Sequence, residues 1–146
     1  MTKIMMCTAA LAVALLSGCA SVPMESPEKD AALKAFPNPP QDQSAVYIFR
    51  DTSLGAALKK TVKIDDKVIG ETAPNTYFYR LITPGAHVLS TESEFGDNTL
   101  NLNAQPGKNH YVRQSIRIGV FSGGATLSEV SESEGKKAVA DTKLAR

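Results

Sequence analysis

Apolar and polar positions along the chain fall into three regimes. Ile4 to Leu16 is apolar apart from Thr8. Residues 20–43 carry five of the eight prolines with no sustained period, which reads as a tether. Within it, Ser26-Pro27-Glu28 sets a cap, a first-turn proline and an acid ahead of DAALKAF, a short helix start that Pro37 ends. That segment is either a transient turn in a solvated spacer or a helix docked on the domain that follows. Pro39-Pro40 favours extended backbone before the first strand.

From Ala45 onward short strands follow one another. Ala45 to Arg50 is almost wholly apolar and predicts a strand covered on both faces. Thr61 to Ile64 alternates, Asp65-Asp66-Lys67 turns, and Val68 to Glu71 returns. Thr76 to Ile82 precedes the strong turn signal Thr83-Pro84-Gly85-Ala86. Val88 to Glu94 runs into Gly96-Asp97-Asn98, and Leu100 and Leu102 then alternate with Thr99, Asn101 and Asn103. After Pro106-Gly107-Lys108, the stretch Tyr111 to Ile118 puts Val112, Gln114, Ile116 and Ile118 on one face. Gly119 to Gly124 is a loop carrying Val120 and Phe121, and Ala125 to Val130 suits an edge strand. Ser131-Glu132-Ser133-Glu134 has the form of a capping box, opening a short helix expected to run through Lys143. Hairpin signals at this spacing argue an antiparallel sandwich rather than alternating β-α units.

The amino terminus changes the picture. A membrane-spanning helix needs about 20 apolar residues, and Ile4 to Leu16 is too short. With Lys3 ahead and small residues behind, the run fits a secretory signal peptide. Leu16-Ser17-Gly18-Cys19 resembles the bacterial lipobox, which implies cleavage between Gly18 and Cys19 and a diacylglycerol on the Cys19 sulfur as a thioether. The competing readings are an ordinary signal peptide with an incidental cysteine and a buried amino-terminal helix, although the stretch is not amphipathic. One acyl chain binds a membrane marginally and two or more bind stably, so fatty acyl groups such as palmitate would hold the chain without any spanning helix. Ala20 stands where lipoproteins retained in the inner membrane carry aspartate, which implies an outer-membrane, periplasm-facing location.

Charge and cysteine content narrow the function classes. Without Lys3, the 16 basic residues fall to 15, matching the 15 acids. A balanced chain gives no electrostatic case for nucleic acid. Cys7 leaves with the signal, so Cys19 is the sole mature cysteine, and internal disulfides and thiolate metal sites are excluded. An apolar core must stabilise the domain, and about 100 residues suffice.

Catalytic chemistry finds little footing. His87 and His110 lack a third ligand or an HExxH tract, so no metal or cofactor is expected. Glu92, Glu94, Asp97 and Asn98 crowd one turn and Asp65 with Asp66 another, without a twelve-residue calcium loop. Glu92 and Glu94 share a strand face and read as charged surface rather than carboxylates opposed across a cleft. Ser122 precedes Gly123-Gly124 but sits in no nucleophile elbow or phosphate cradle. Tyr77 and Tyr79 face one way and Phe78 the other; the tyrosines either pack in or beside the core or form an outward surface for a sugar or protein. Phe121, beside Val120, is either a docking hook or folded under the sandwich.

The segments ALKAFPNPPQDQSAVYIFRD, VKIDDKVIGETAPNTYFYRLITPGAH, TESEFGDNTLNLNAQPGKNHYVRQ and EVSESEGKKAVADTKLA resemble the bacterial lipoprotein family catalogued as domain of unknown function 2846. The middle section also resembles surface-layer PEGA-type modules, with Asp66 where such modules often have glycine. The resemblance implies an all-β fold, a small antiparallel β-sandwich (immunoglobulin/transthyretin-like) with short N- and C-terminal helices. The family has no established catalytic residues, so the resemblance assigns none. The expected organisation is a signal peptide over 1–18, a lipid-anchored tether over 19–43 and a sandwich over 44–146. The expected role is non-catalytic binding or assembly in the cell envelope, on a protein or peptidoglycan partner. The alternative is a module for envelope glycans or small ligands on the Tyr77/Tyr79 patch, and Tyr77, Tyr79 and Phe121 together are the candidate binding surface.

Overall fold

The computed structural model describes residues 18–121 and 123–146. The apolar run and all but the last residue of the expected signal peptide lie outside the described residues, as does Ser122. The elements are α1 (Pro27–Leu33), β1 (Ser44–Arg50), β2 (Lys60–Ile64), β3 (Lys67–Thr72), β4 (Thr76–Ile82), β5 (Gly85–Ser93), β6 (Gly96–Ala104), β7 (Asn109–Arg117), β8 (Gly124–Val130), α2 (Glu132–Ala140) and β9 (Lys143–Leu144). They form a five-stranded sheet in the order β8-β7-β1-β4-β9 and a four-stranded sheet in the order β3-β2-β5-β6. The two-sheet, mostly β architecture is the one expected. Its pairing is mixed rather than wholly antiparallel, because β1 runs parallel to β7 and β4 parallel to β9.

The sheets bury their apolar faces against each other. Val46, Ile48, Phe78, Val112 and Leu127 from the larger sheet meet Val62, Ile64, Leu89 and Leu102 from the smaller. Gln114 is the polar member of this interface and is fully buried. It accepts from the Thr72 hydroxyl and donates to Thr91 Oγ1 at 2.8 Å, while Thr91 donates to the Thr61 carbonyl at 2.9 Å. Four strands are thereby joined through one satisfied network, the condition under which a buried amide is tolerated.

The outer face of the larger sheet is covered as well, which is why every residue of β1 is buried. Tyr47 pairs in register with Tyr79 on one side and Tyr111 on the other. Its ring stacks on Tyr111 at 5.2 Å and meets the edge of Tyr79 at 4.9 Å. Phe36, Leu33 and Val139 close the layer from the helical side. In α2, Gly135 lies directly on Tyr111: a Cβ there would fall 2.3 Å from Tyr111 Cβ. Only glycine lets the helix approach the ring this closely.

Two further expectations are corrected. The carboxy-terminal helix stops at Ala140, capped by Asp141, and Lys143–Leu144 pairs with Thr76 and Tyr77 as β9. The local periodicity favoured helix, but a sheet edge beside β4 offered Leu144 a buried seat. The segment expected as a tether is laid against the sandwich. Glu25 N–H donates to the Leu144 carbonyl at 3.0 Å, Arg146 N–H to the Pro23 carbonyl at 2.9 Å, and Val22 packs on the core. Of the two readings of its helix, the docked one holds: Tyr77 donates to Asp30 Oδ1 at 2.8 Å and Tyr47 to the Leu33 carbonyl at 2.9 Å.

Candidate functional site

Cys19 is exposed and carries a free thiol, with Gly18 exposed beside it. The next residue is already fixed, since Ala20 N–H donates to the Ala56 carbonyl at 2.7 Å. Ala56 belongs to the loop between β1 and β2, and Arg50 organises that loop. The Arg50 side chain is fully buried yet meets carbonyl oxygens: Leu58 at 2.7 Å, Gly55 at 2.9 Å and Leu54 at 3.2 Å. Burial pulls its guanidinium below the usual range. A planar fork with five donors is suited to gathering several carbonyls at once. Gly55 adopts φ 67°, a left-handed turn that the carbonyl cage holds in place.

Two further loops meet this one. The loop after β7 projects Ile118, Val120 and Phe121, which are 85%, 83% and 85% exposed. The turn between β5 and β6 projects Phe95, 80% exposed, whose ring stands edge-on to Phe121 at 6.3 Å. Glu94 ties these loops together by accepting from Val120 N–H at 2.9 Å and from Phe121 N–H. Lys60 donates to the Gly123 carbonyl from the start of β2. Between the loops lies a groove of about 220 Å³ lined by Leu54, Leu58, Ile116, Ile118 and Phe121. Cys19 therefore sits at the end of the sandwich where its largest exposed apolar side chains gather. Phe121 takes the exposed one of its two predicted positions.

The tyrosines take the inward one. Tyr77 is 0% exposed, and Tyr79 packs against Tyr47 as a partly buried rim. Tyr77 and Tyr79 thus do not form an outward recognition surface; docked α1 and β9 claim that face. Burial raises the phenol pKa of Tyr77 and Tyr79, and pushes Tyr111 up to about 12.

The histidines have separate structural partners. His87 Nδ1 lies 2.6 Å from Asp65 Oδ2 and Nε2 lies 2.6 Å from the Thr83 carbonyl, so acceptors face both ring nitrogens. Burial works against its charged form, but the Asp65 carboxylate and the Thr83 carbonyl prevail and raise its pKa. The Val88 N–H and His87 together lower that of Asp65. His110 Nε2 accepts from Gln105 N–H at 2.9 Å, which leaves Nδ1 to donate to Glu129 at 2.9 Å. Glu92 accepts from Thr61 N–H, Asp97 pairs with Lys63 at 2.7 Å, and Asn98 donates to the Ala125 carbonyl at 2.6 Å. Glu92, Asp97 and Asn98 thus tie separate strands together. Among the described residues, no three of His, Cys, Asp and Glu gather as metal ligands.

Sequence reasoning missed Arg50 and Glu94 as organisers of these loops. An arginine ending an otherwise apolar strand was the available signal for the first. For Glu94 there was none, since its partners are backbone amides more than 20 residues away.

Comparison with known proteins adds family but no activity. An uncharacterized protein of Haemophilus influenzae is 50% identical over 131 residues, covering 90% of this chain and 78% of its own length. No solved structure matches. The family model described as "Protein of unknown function (DUF2846)" matches residues 40–125, from just before β1 to the start of β8. On that match and that relative, the chain belongs to the DUF2846 family.

Proposed function

We propose that this chain is a bacterial cell-envelope lipoprotein. Its signal peptide is removed between Gly18 and Cys19, and Cys19 carries the lipid. The observation that carries the reading is Leu16-Ser17-Gly18-Cys19 after a thirteen-residue apolar run, with Cys19 free and exposed ahead of the folded domain. No described helix is long and apolar enough to cross a membrane, so acyl chains are the anchoring chemistry the sequence offers. Ala20 in place of aspartate favours the outer membrane, with the sandwich facing the periplasm.

The domain's role is non-catalytic binding or assembly, with an envelope protein or peptidoglycan as partner. The histidines and carboxylates engaged in structural bonds support this: His87 Nε2 lies 3.3 Å from the Thr83 hydroxyl, but it donates to the Thr83 carbonyl at 2.6 Å and so is not free to act as a base. A glycan-stacking role loses its basis with Tyr77 buried.

The test is intact-mass measurement on protein from the membranes of its native host. A chain beginning at Cys19 with the mass of a diacylglyceryl thioether is expected. Cys19→Ala should accumulate as unprocessed precursor, and its normal maturation in the outer membrane would refute the reading.

A further inference from the structure

The end of the sandwich that holds Cys19 is itself apolar, and three separate loops build it. Leu54 comes from the β1–β2 loop, Phe95 from the β5–β6 turn, and Ile118, Val120 and Phe121 from the β7–β8 loop. Contiguous exposed apolar side chains of this size on a small domain mark an interaction surface. They are also held in place. The Glu94 carboxylate fixes the backbone of Val120 and Phe121, and Arg50 fixes that of Leu54.

What covers this surface follows from its neighbour. The Ala20 N–H bonded to Ala56 belongs to the Cys19–Ala20 peptide, so cleavage ahead of Cys19 leaves that bond intact. One residue spans at most about 3.6 Å. Cys19, and anything joined to its sulfur, is therefore held beside the loop that carries Leu54. Arg117, exposed and lining the same groove, supplies a cation for phosphate headgroups. The Glu94 carboxylate, partly exposed at this end, accepts from the Val120 and Phe121 backbone amides.

Resting on the lipoprotein reading above, we propose that Leu54, Phe95, Ile118, Val120 and Phe121 form a membrane-contact face that enters the interfacial region of the bilayer beside the acylated Cys19. The occupant is the lipid surface itself. Aromatic and aliphatic side chains of this kind bury about 5–10 Å into the headgroup–acyl boundary.

The chain contains no tryptophan, so a single introduced one reports on its own position. The experiment uses the full-length gene with Phe121→Trp, and Leu81→Trp as control. Leu81 is half-exposed near the far end of β4, where it pairs with Ala45 of β1. Each protein, purified from membranes, has its intact mass measured. It is then reconstituted in vesicles of phosphatidylethanolamine and phosphatidylglycerol with brominated acyl chains. Phe121→Trp should be blue-shifted and quenched roughly two-fold, as suits burial at the acyl boundary, with Leu81→Trp unaffected. Acylated protein whose Phe121→Trp is quenched no more than the control would overturn the membrane-contact face and leave the anchor standing. A blue shift without quenching would mean that protein, or the chain's own lipid in the groove, covers Phe121, and overturns it equally. Protein without acyl mass would remove both readings.

Discussion

Single residues carry more of this architecture than their surroundings suggest. Arg50 is a buried cation whose hydrogen-bond partners are main-chain carbonyls, and it holds the 51–59 loop in shape. Arg50→Met keeps the bulk and deletes the donors, leaving carbonyls of Leu54, Gly55 and Leu58 unsatisfied. The expected cost is about 2–4 kcal/mol in urea unfolding, with faster amide exchange across the loop. His87 sits between two acceptors, and its pKa is raised in the fold. A raised folded pKa means that the protonated ring stabilises. That contribution is complete below the unfolded imidazole value of about 6.5, and disappears as pH climbs through the higher folded value. Stability should therefore fall over that window, and His87→Gln should flatten the urea-midpoint profile there. A wild-type midpoint rising through the window would contradict the assignment. Asp65 remains ionised throughout, because its own pKa is lowered.

At the scale of elements, Gly135 gives the sharpest test. In an exposed helix, glycine to alanine gains about 1 kcal/mol. Here the added methyl would collide with Tyr111, so Gly135→Ala should instead lose about 1–3 kcal/mol by thermal or urea unfolding. Elements whose reason is local were legible in the sequence. The apolar run of β1 announced burial on both faces, the 99–103 alternation announced β6, and Ser131 announced the cap of α2, where it accepts from Glu134 N–H. Elements whose reason lies elsewhere in the chain were not. Lys143–Leu144 is too short for a period and is a strand only because β4 lends it an edge. The parallel alignment of β1 with β7 depends on connections that leave no mark in either stretch. Tyr77 and Tyr79 were correctly set on one face, but which side was wet depended on α1 docking through Asp30. In the candidate site, Cys19 and Phe121 could be named from the chain itself, whereas the Glu94 contacts that join the β5–β6 and β7–β8 loops are tertiary.

For the whole molecule, the bond from Ala20 to Ala56 matters beyond its energy. A lipoprotein with a long flexible leader can roam tens of ångströms from its leaflet. In the proposed lipoprotein, a leash of one residue removes that freedom, and the sandwich stands on the bilayer like a post. About 128 residues have a radius of gyration near 14 Å, so the far turns rise on the order of 40 Å above the lipid. Any cell-wall strand or companion protein must come within that height to be met at all. Proline-rich sequence before a domain is not, by itself, reach.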